Sequence, residues 1–98
     1  TLPMNICSLH PKDKSVSAIS VFKGSEGQTT AIQILADQTL KEHITKTPAL
    51  LICVTGQAVF ENEEGMKETL LPGDQIHIAP MVKHWVKGIV DSQLILIK

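Results

Sequence analysis

Aromatic residues, cysteines and long apolar runs are scarce in this chain. Its 98 residues include no Tyr, one Trp, two Phe and two Cys. The longest apolar run, 49–54, is too short to cross a bilayer, so we expect no membrane partner. The first residues show no charged segment followed by an apolar one, so we expect no export signal. Cys7 and Cys53 are then expected to be free thiols in a reducing compartment, the cytoplasm, with a disulfide between them as the alternative.

An excess of charge of either sign is also absent. Nine basic and ten acidic side chains give a net charge of −1, and no basic block stands out. We therefore expect no nucleic-acid partner. Apolar residues make up 43% of the chain, which is enough for a packed core in one domain, 1–98.

Helical periodicity is missing as well, because no segment keeps an apolar period of about 3.6 residues for the length of a stable helix. Short β-branched or apolar segments alternate instead with turn residues, which predicts eight or nine strands in an all-β barrel or sandwich. The predicted strands are 16–23, 29–36, 40–44, 49–61 (interrupted at Gly56), 66–70, 75–79, 84–90 and 93–97. Residues 1–14 carry few signals and are expected to form an N-terminal arm or an edge strand.

The strand that begins at Ala49 is apolar on both faces. Leu51 and Cys53 lie on one face, and Leu50 and Ile52 lie on the other. A small barrel buries only its inner face by itself, so the outer face needs a cover. We expect that cover to be a second copy of the chain, which makes a homodimer. The alternative cover is the N-terminal arm.

Two segments, 37–56 and 72–84, resemble the two signature segments of the cupin family of small β-barrels. The residues that match are Asp37 (for a glycine), His43, Gly56, Pro72, Gly73, Asp74, Pro80 and His84. Asp replaces the first glycine at little cost, because Asp enters left-handed turns more readily than most residues. The resemblance implies a double-stranded β-helix, a jelly-roll barrel of the RmlC-like kind.

Several polar positions of the family's motifs are replaced. Metal-binding cupins hold a divalent ion with three histidines and a glutamate. Thr45 stands in the place of the second histidine, and Ala49 in the place of the glutamate. The resemblance therefore leaves His43 and His84 as the remaining members of the ligand set.

The reduced set leaves two interpretations open. His43 and His84 either hold a divalent metal (Zn, Fe, Mn or Ni) or line a cavity, bonded to each other, to water or to a ligand. Cys53 is a third metal ligand or, as we expect, a small core residue. Glu42 cannot easily serve, because adjacent strand residues point to opposite faces.

Three further residues receive a predicted position. His77 lies between two isoleucines and is expected outside the barrel, with an inward third ligand as the alternative if the face is reversed. Trp85 is expected to face outward as an interface anchor, or else to form a pocket wall. His10 lies in an unpatterned stretch and is expected to be solvated.

Two main functions follow from these residues. The first is binding of a small molecule inside the barrel without catalysis, because the mouths of β-barrels are recurrent ligand sites. The predicted ligand-binding residues are His43, Thr45, Leu51, Cys53, His84 and Val86. The second is a metal-dependent enzyme, an oxygenase or isomerase with a two-histidine site. Metal-free isomerisation with a histidine base ranks last, because it has no assigned acid partner.

Overall fold

Two antiparallel sheets make up the structure, a computed structural model that describes residues 2–98. The strands are β1 (Val16–Lys23), β2 (Gln28–Ile34), β3 (Thr39–His43), β4 (Ala49–Thr55), β5 (Ala58–Asn62), β6 (Lys67–Leu70), β7 (Gln75–Ile78), β8 (His84–Gly88) and β9 (Ser92–Ile97). The five-stranded sheet has the order β1-β2-β9-β4-β7, and the four-stranded sheet has the order β3-β8-β5-β6. A turn of 3-10 helix at Ile6–Ser8 precedes them. Within residues 2–98, no helix has the length and apolarity needed to cross a membrane.

The inner faces of the two sheets pack against each other around an apolar core. Strand β4 follows the alternation that its sequence predicts, with Ala49, Leu51 and Cys53 buried and the residues between them less so. The other core residues are Ile32, Ile34, Ala58, Phe60, Leu70, Ile78, Val86, Leu94 and Leu96. Burial of this apolar surface is the main force that holds the sheets together.

Gly56 is a corner between the sheets, which corrects the prediction of one long strand over 49–61. Strand β4 ends before the glycine and belongs to the five-stranded sheet, whereas β5 begins after it in the four-stranded sheet. Gly56 has φ of 88°, and a Cβ there would lie 2.4 Å from the Asp91 carbonyl oxygen. Only glycine fits this turn, since it has no Cβ to clash.

A β-bulge in β3 sets the direction of the side chains near its end. Leu40 pairs with Val86, and His43 pairs with His84, so three steps along β3 match two steps along β8. The extra residue on β3 reverses the alternation of faces. Leu40 and His43 therefore both face the interior, although their spacing in a regular strand would put them on opposite faces.

The outer face of the five-stranded sheet is covered only in part. The N-terminal segment lies over β1 and β2, where the Gln33 amide nitrogen donates to the Pro11 carbonyl at 3.1 Å. Farther along the same face, Leu50, Ile52 and Ile95 are half-buried, and Ile97 is exposed. The arm is thus one cover of this face. The homodimer remains a prediction for the other half.

Candidate small-molecule site

Two histidines from distant parts of the chain meet at the inner face of the four-stranded sheet. His43 is the last residue of β3, and His84 is the first residue of β8. Their Nε2 atoms are 3.0 Å apart, and their rings meet edge to face with centroids 4.2 Å apart. His84 is 2% exposed, and His43 is half-buried. The bulge in β3 makes this meeting possible, because it turns His43 inward opposite His84.

Backbone carbonyls fix the tautomers of both rings. The Nδ1 atom of His43 lies 2.9 Å from the Lys41 carbonyl oxygen, and that of His84 lies 3.2 Å from the Val82 carbonyl oxygen. A carbonyl oxygen only accepts hydrogen bonds, so each Nδ1 carries a proton and donates it. In a neutral ring the Nε2 atom is then a bare acceptor.

The pair is therefore one proton short when both rings are neutral. Two contacts with carbonyls and one contact between the Nε2 atoms require three protons, whereas two neutral imidazoles carry two. Three kinds of group can satisfy the Nε2 lone pairs: an added proton, a cation, or a hydrogen-bond donor from another molecule. An acceptor pair that is buried without such a partner is costly.

The surroundings of His84 favour its neutral form. Burial lowers the pKa of His84 from its ordinary value of 6.5, the hydrogen bond to the Val82 carbonyl raises it, and the adjacent His43 lowers it again. The Phe60 ring stacks on His84 with centroids 5.7 Å apart and so contributes to the apolar environment. These surroundings disfavour a proton on the His84 ring.

Thr45 is a third polar group in this part of the barrel that lacks a partner. Its side chain is buried, and its Oγ1 atom has no hydrogen-bond partner. Its backbone carbonyl accepts from the Met81 amide at 2.8 Å, which ties it to the turn that leads into β8. A buried hydroxyl without a partner indicates that water or a ligand completes it.

A groove on one side of the barrel reaches His43, one of the two histidines. It has a volume of about 550 Å³ and runs along the start of β1 and the length of β3. The residues that line it are Ser15, Val16, Gln38, Thr39, Leu40, Lys41, Glu42 and His43. His43 both lines the groove and contacts the buried His84, so it connects solvent with the interior.

The other predicted ligand-binding residues lie in the apolar core. Leu51, Cys53 and Val86 are all 2% exposed or less. The Cys53 Sγ atom lies 3.6 Å from the Thr55 carbonyl oxygen, and burial raises the pKa of this thiol. Cys7 and Cys53 are both free. Contact between these core residues and a ligand remains a prediction.

The residues present do not supply the full ligand set of a resident metal. Within residues 2–98, no group of three or more His, Cys, Asp or Glu side chains converges as a metal site would require. Two imidazoles alone are a poor site for most first-row metals.

The remaining aromatic and histidine side chains lie outside this site. His77 is exposed and faces outward opposite Leu50, as expected. The Trp85 indole nitrogen donates to the Glu61 carboxylate at 3.3 Å across the outer face of the four-stranded sheet.

The prediction that His10 is solvated was wrong. Its side chain is 6% exposed, and its Nδ1 atom is 2.7 Å from the Ser17 hydroxyl. The available signal was Ser17 and Gln33, polar residues that pair with each other at outward positions of β1 and β2.

No protein-family model matches the sequence, and neither does any curated protein. Solved structures do match its fold. A cupin superfamily protein from Desulfitobacterium hafniense superposes with a TM-score of 0.84 at 15% identity, covering 95% of this chain and 84% of the other. An RmlC-like cupin from Desulfovibrio desulfuricans gives 0.83 at 13% identity, covering 99% and 94%. KdgF from a Halomonas species gives 0.77 at 18% identity, covering 90% and 81%.

Similarities at this level of identity establish architecture, and the architecture agrees with the motif residues. The two sheets agree with the all-β fold that the signature segments implied, and His43 and His84, one from each segment, meet with their Nε2 atoms 3.0 Å apart. The chain has the cupin fold, the double-stranded β-helix.

Proposed function

We propose that this cupin-fold protein binds a small molecule at the inner end of the groove, through His43, His84 and Thr45. The observation that carries the proposal is the convergence of two Nε2 acceptors at 3.0 Å with both Nδ1 atoms already committed to carbonyls. The buried Thr45 hydroxyl adds a further unpaired group nearby in the fold. A ligand would satisfy all three.

The polarity of these atoms selects the chemical class of the ligand. The neutral pair offers lone pairs and no free N–H, so it pairs with hydrogen-bond donors and repels carboxylate oxygens. We therefore infer a ligand with a hydroxyl or an ammonium group. Leu51, Cys53 and Val86 belong to the apolar core and suit a ligand with an apolar body.

We also propose that the protein is located in the cytoplasm. Its two cysteines are free thiols, and free thiols suit a reducing compartment.

A second candidate function is metal-dependent catalysis of the oxygenase or isomerase type. One observation favours it: metal-bound histidines usually donate their other ring nitrogen to a carbonyl, as His43 and His84 both do. A divalent metal would act there as a Lewis acid. It would have two protein ligands, and this shortage ranks the enzyme second.

Nuclear magnetic resonance of the histidine rings tests the binding proposal. Protein labelled with ¹⁵N at histidine would be titrated with n-butanol, n-butylamine and sodium butyrate, which share one carbon chain. The alcohol and the amine should shift the Nε2 signals of His43 and His84, whereas butyrate should not. His77→Gln is the matched control, because it removes an exposed histidine and should leave the response unchanged.

The responses to the three probes test the location of the site and the chemical class of the ligand separately. A response to butyrate alone would keep the site and reject the donor class. Failure of all three probes to shift either ring would contradict the proposal. The second candidate, metal-dependent catalysis, is tested by elemental analysis of protein purified without a chelator or affinity tag. Stoichiometric metal that is lost in both His43→Ala and His84→Ala would place metal-dependent catalysis first.

A further inference from the structure

A second buried histidine lies on the other side of the molecule, where the function proposed above does not use it. His10 belongs to the segment 10–15, which crosses the outer face of the five-stranded sheet. The ring is 6% exposed, although it precedes a stretch of exposed residues, 11–15. This buried titratable group distinguishes the segment from the rest of the outer face, where no titratable side chain of residues 2–98 is buried.

Side chains from β1 and β2 hold this segment on the sheet. The Ser17 hydroxyl lies 2.7 Å from the His10 Nδ1 atom. The Gln33 amide nitrogen donates to the Pro11 and Lys14 carbonyls at 3.1 and 3.3 Å. The Leu35 amide donates to the Ser15 carbonyl at 2.9 Å. The segment is thus attached by a few polar contacts, the last of which continues the register of β1 and β2 at Ser15.

The contacts of His10 suit the neutral ring and oppose the imidazolium. With its proton on Nδ1, the neutral ring donates to Ser17 and leaves only a lone pair at Nε2, which has no partner. The imidazolium would place an N–H at that buried position with nothing to accept it. Burial lowers the pKa of His10 from 6.5, and the positive charge of Lys14 lowers it further.

No acidic side chain from the sheet offsets this penalty. The strand side chains that hydrogen-bond the segment, Ser17 and Gln33, do not titrate. Gln93, which donates to Gln33 at 2.9 Å from the next strand, does not titrate either. Asp13 is in the same segment but is exposed. A proton on His10 is therefore accommodated best when the ring leaves the sheet and reaches water.

We propose that residues 10–15 form a strap over the outer face of the five-stranded sheet, and that the strap opens when His10 takes up a proton. Opening exposes the ring, frees the amide of Leu35 and uncovers the buried polar row of Ser17, Gln33 and Gln93. The sheets stay together, because the apolar core lies on their opposite faces.

Hydrogen exchange at the Leu35 amide measures the opening directly. Its protection, corrected for the intrinsic effect of pH, should fall on the order of tenfold for each pH unit below 6.5, since opening takes up one proton. The loss should level off below the pKa of the closed strap. Protection of amides in β5 reports global unfolding and should remain higher throughout.

Two variants make the test specific. His10→Gln keeps a partner for Ser17 but cannot titrate, so its Leu35 protection should not depend on pH. Ser17→Ala should open more readily at every pH and retain the dependence. The matched control His77→Gln, an exposed site on the same sheet, should behave as the parent chain. Protection that is constant with pH in the parent, that rises on acidification, or that keeps its pH dependence in His10→Gln would overturn the proposal.

Discussion

The two sheets of this barrel bury similar inner faces but carry polar groups in different places. The five-stranded sheet has a largely apolar interior, and three of its buried polar side chains, Ser17, Gln33 and Gln93, lie on the outer face. The four-stranded sheet has Glu61 and Lys87 outside and brings His43 and His84 together inside. Apolar burial without polar groups favours stability, whereas an interior with unmet acceptors costs stability, and it is there that we propose a ligand binds. The five-stranded sheet therefore contributes mainly to the stability of the fold, and the four-stranded sheet holds the candidate site.

The largest effect should come from the interior of the five-stranded sheet. Leu94 is 1% exposed, so Leu94→Ala removes packed atoms and leaves a cavity. We expect the free energy of unfolding to fall by about 2–5 kcal/mol, measured by urea denaturation. Val54→Ala, at a position that is 36% exposed in the same sheet, should cost less than about 0.5 kcal/mol. Equal losses would mean that burial in this sheet does not set stability.

The interior of the four-stranded sheet should respond differently, because its buried groups are polar. His84→Leu sets the His43 Nε2 acceptor against an apolar side chain and leaves the Val82 carbonyl without its donor, so it should lower the free energy of unfolding by about 1–3 kcal/mol. The double variant His43→Leu/His84→Leu removes both acceptors and should be more stable than His84→Leu alone. A double-mutant cycle by urea denaturation gives the coupling. Simple additivity of the two losses would show that the rings do not interact.

The outer faces of the two sheets should differ in their effect on self-association, because we expect only one of them to form the homodimer interface. Leu50, Ile52 and Ile95 form a partly exposed apolar surface, and a charge in its middle should weaken self-association. We expect sedimentation to give the mass of two chains, and Ile52→Lys to raise the dissociation constant by about tenfold. Val59→Lys, at a half-buried outward position on the other sheet, is the matched control and should leave the mass unchanged. A parent chain that sediments as a monomer would make the prediction wrong.

The smallest effect is the dependence of overall stability on pH. Burial lowers the pKa values of His84 and His10 below 6.5, so the unfolded chain binds protons more readily than the folded one. The free energy of unfolding should therefore be constant above neutral pH and fall as the pH drops through 6.5 towards the lowered values. Urea denaturation in the presence of a chelator measures it. The variant His10→Gln/His84→Gln should lose most of the slope, and an unchanged slope would exclude these two rings as its source.

The alternation of short strands and turns predicted an all-β fold, and the resemblance to the cupin signature segments predicted the histidine pair. Alternation in β4 and the turn residues were sufficient because each is a local signal. The bulge in β3 and the corner at Gly56 were not predicted, since both depend on how a segment pairs with strands distant in the sequence. The burial of His10 was missed for the same reason: Ser17 and Gln33 are polar residues at outward positions, but they do not by themselves show which segment covers them.

The bulge in β3 has a consequence for how easily such a site is gained or lost. A shortening of β3 by one position, at Lys41 or Glu42, would restore the regular pleat and leave Leu40 and His43 two positions apart, both still on the inner face. The pairing of β3 with β8 would survive, and so would the composition of the interior. A single codon deletion at the bulge would therefore keep the His43 ring opposite His84, so the candidate site tolerates this change in the length of the strand.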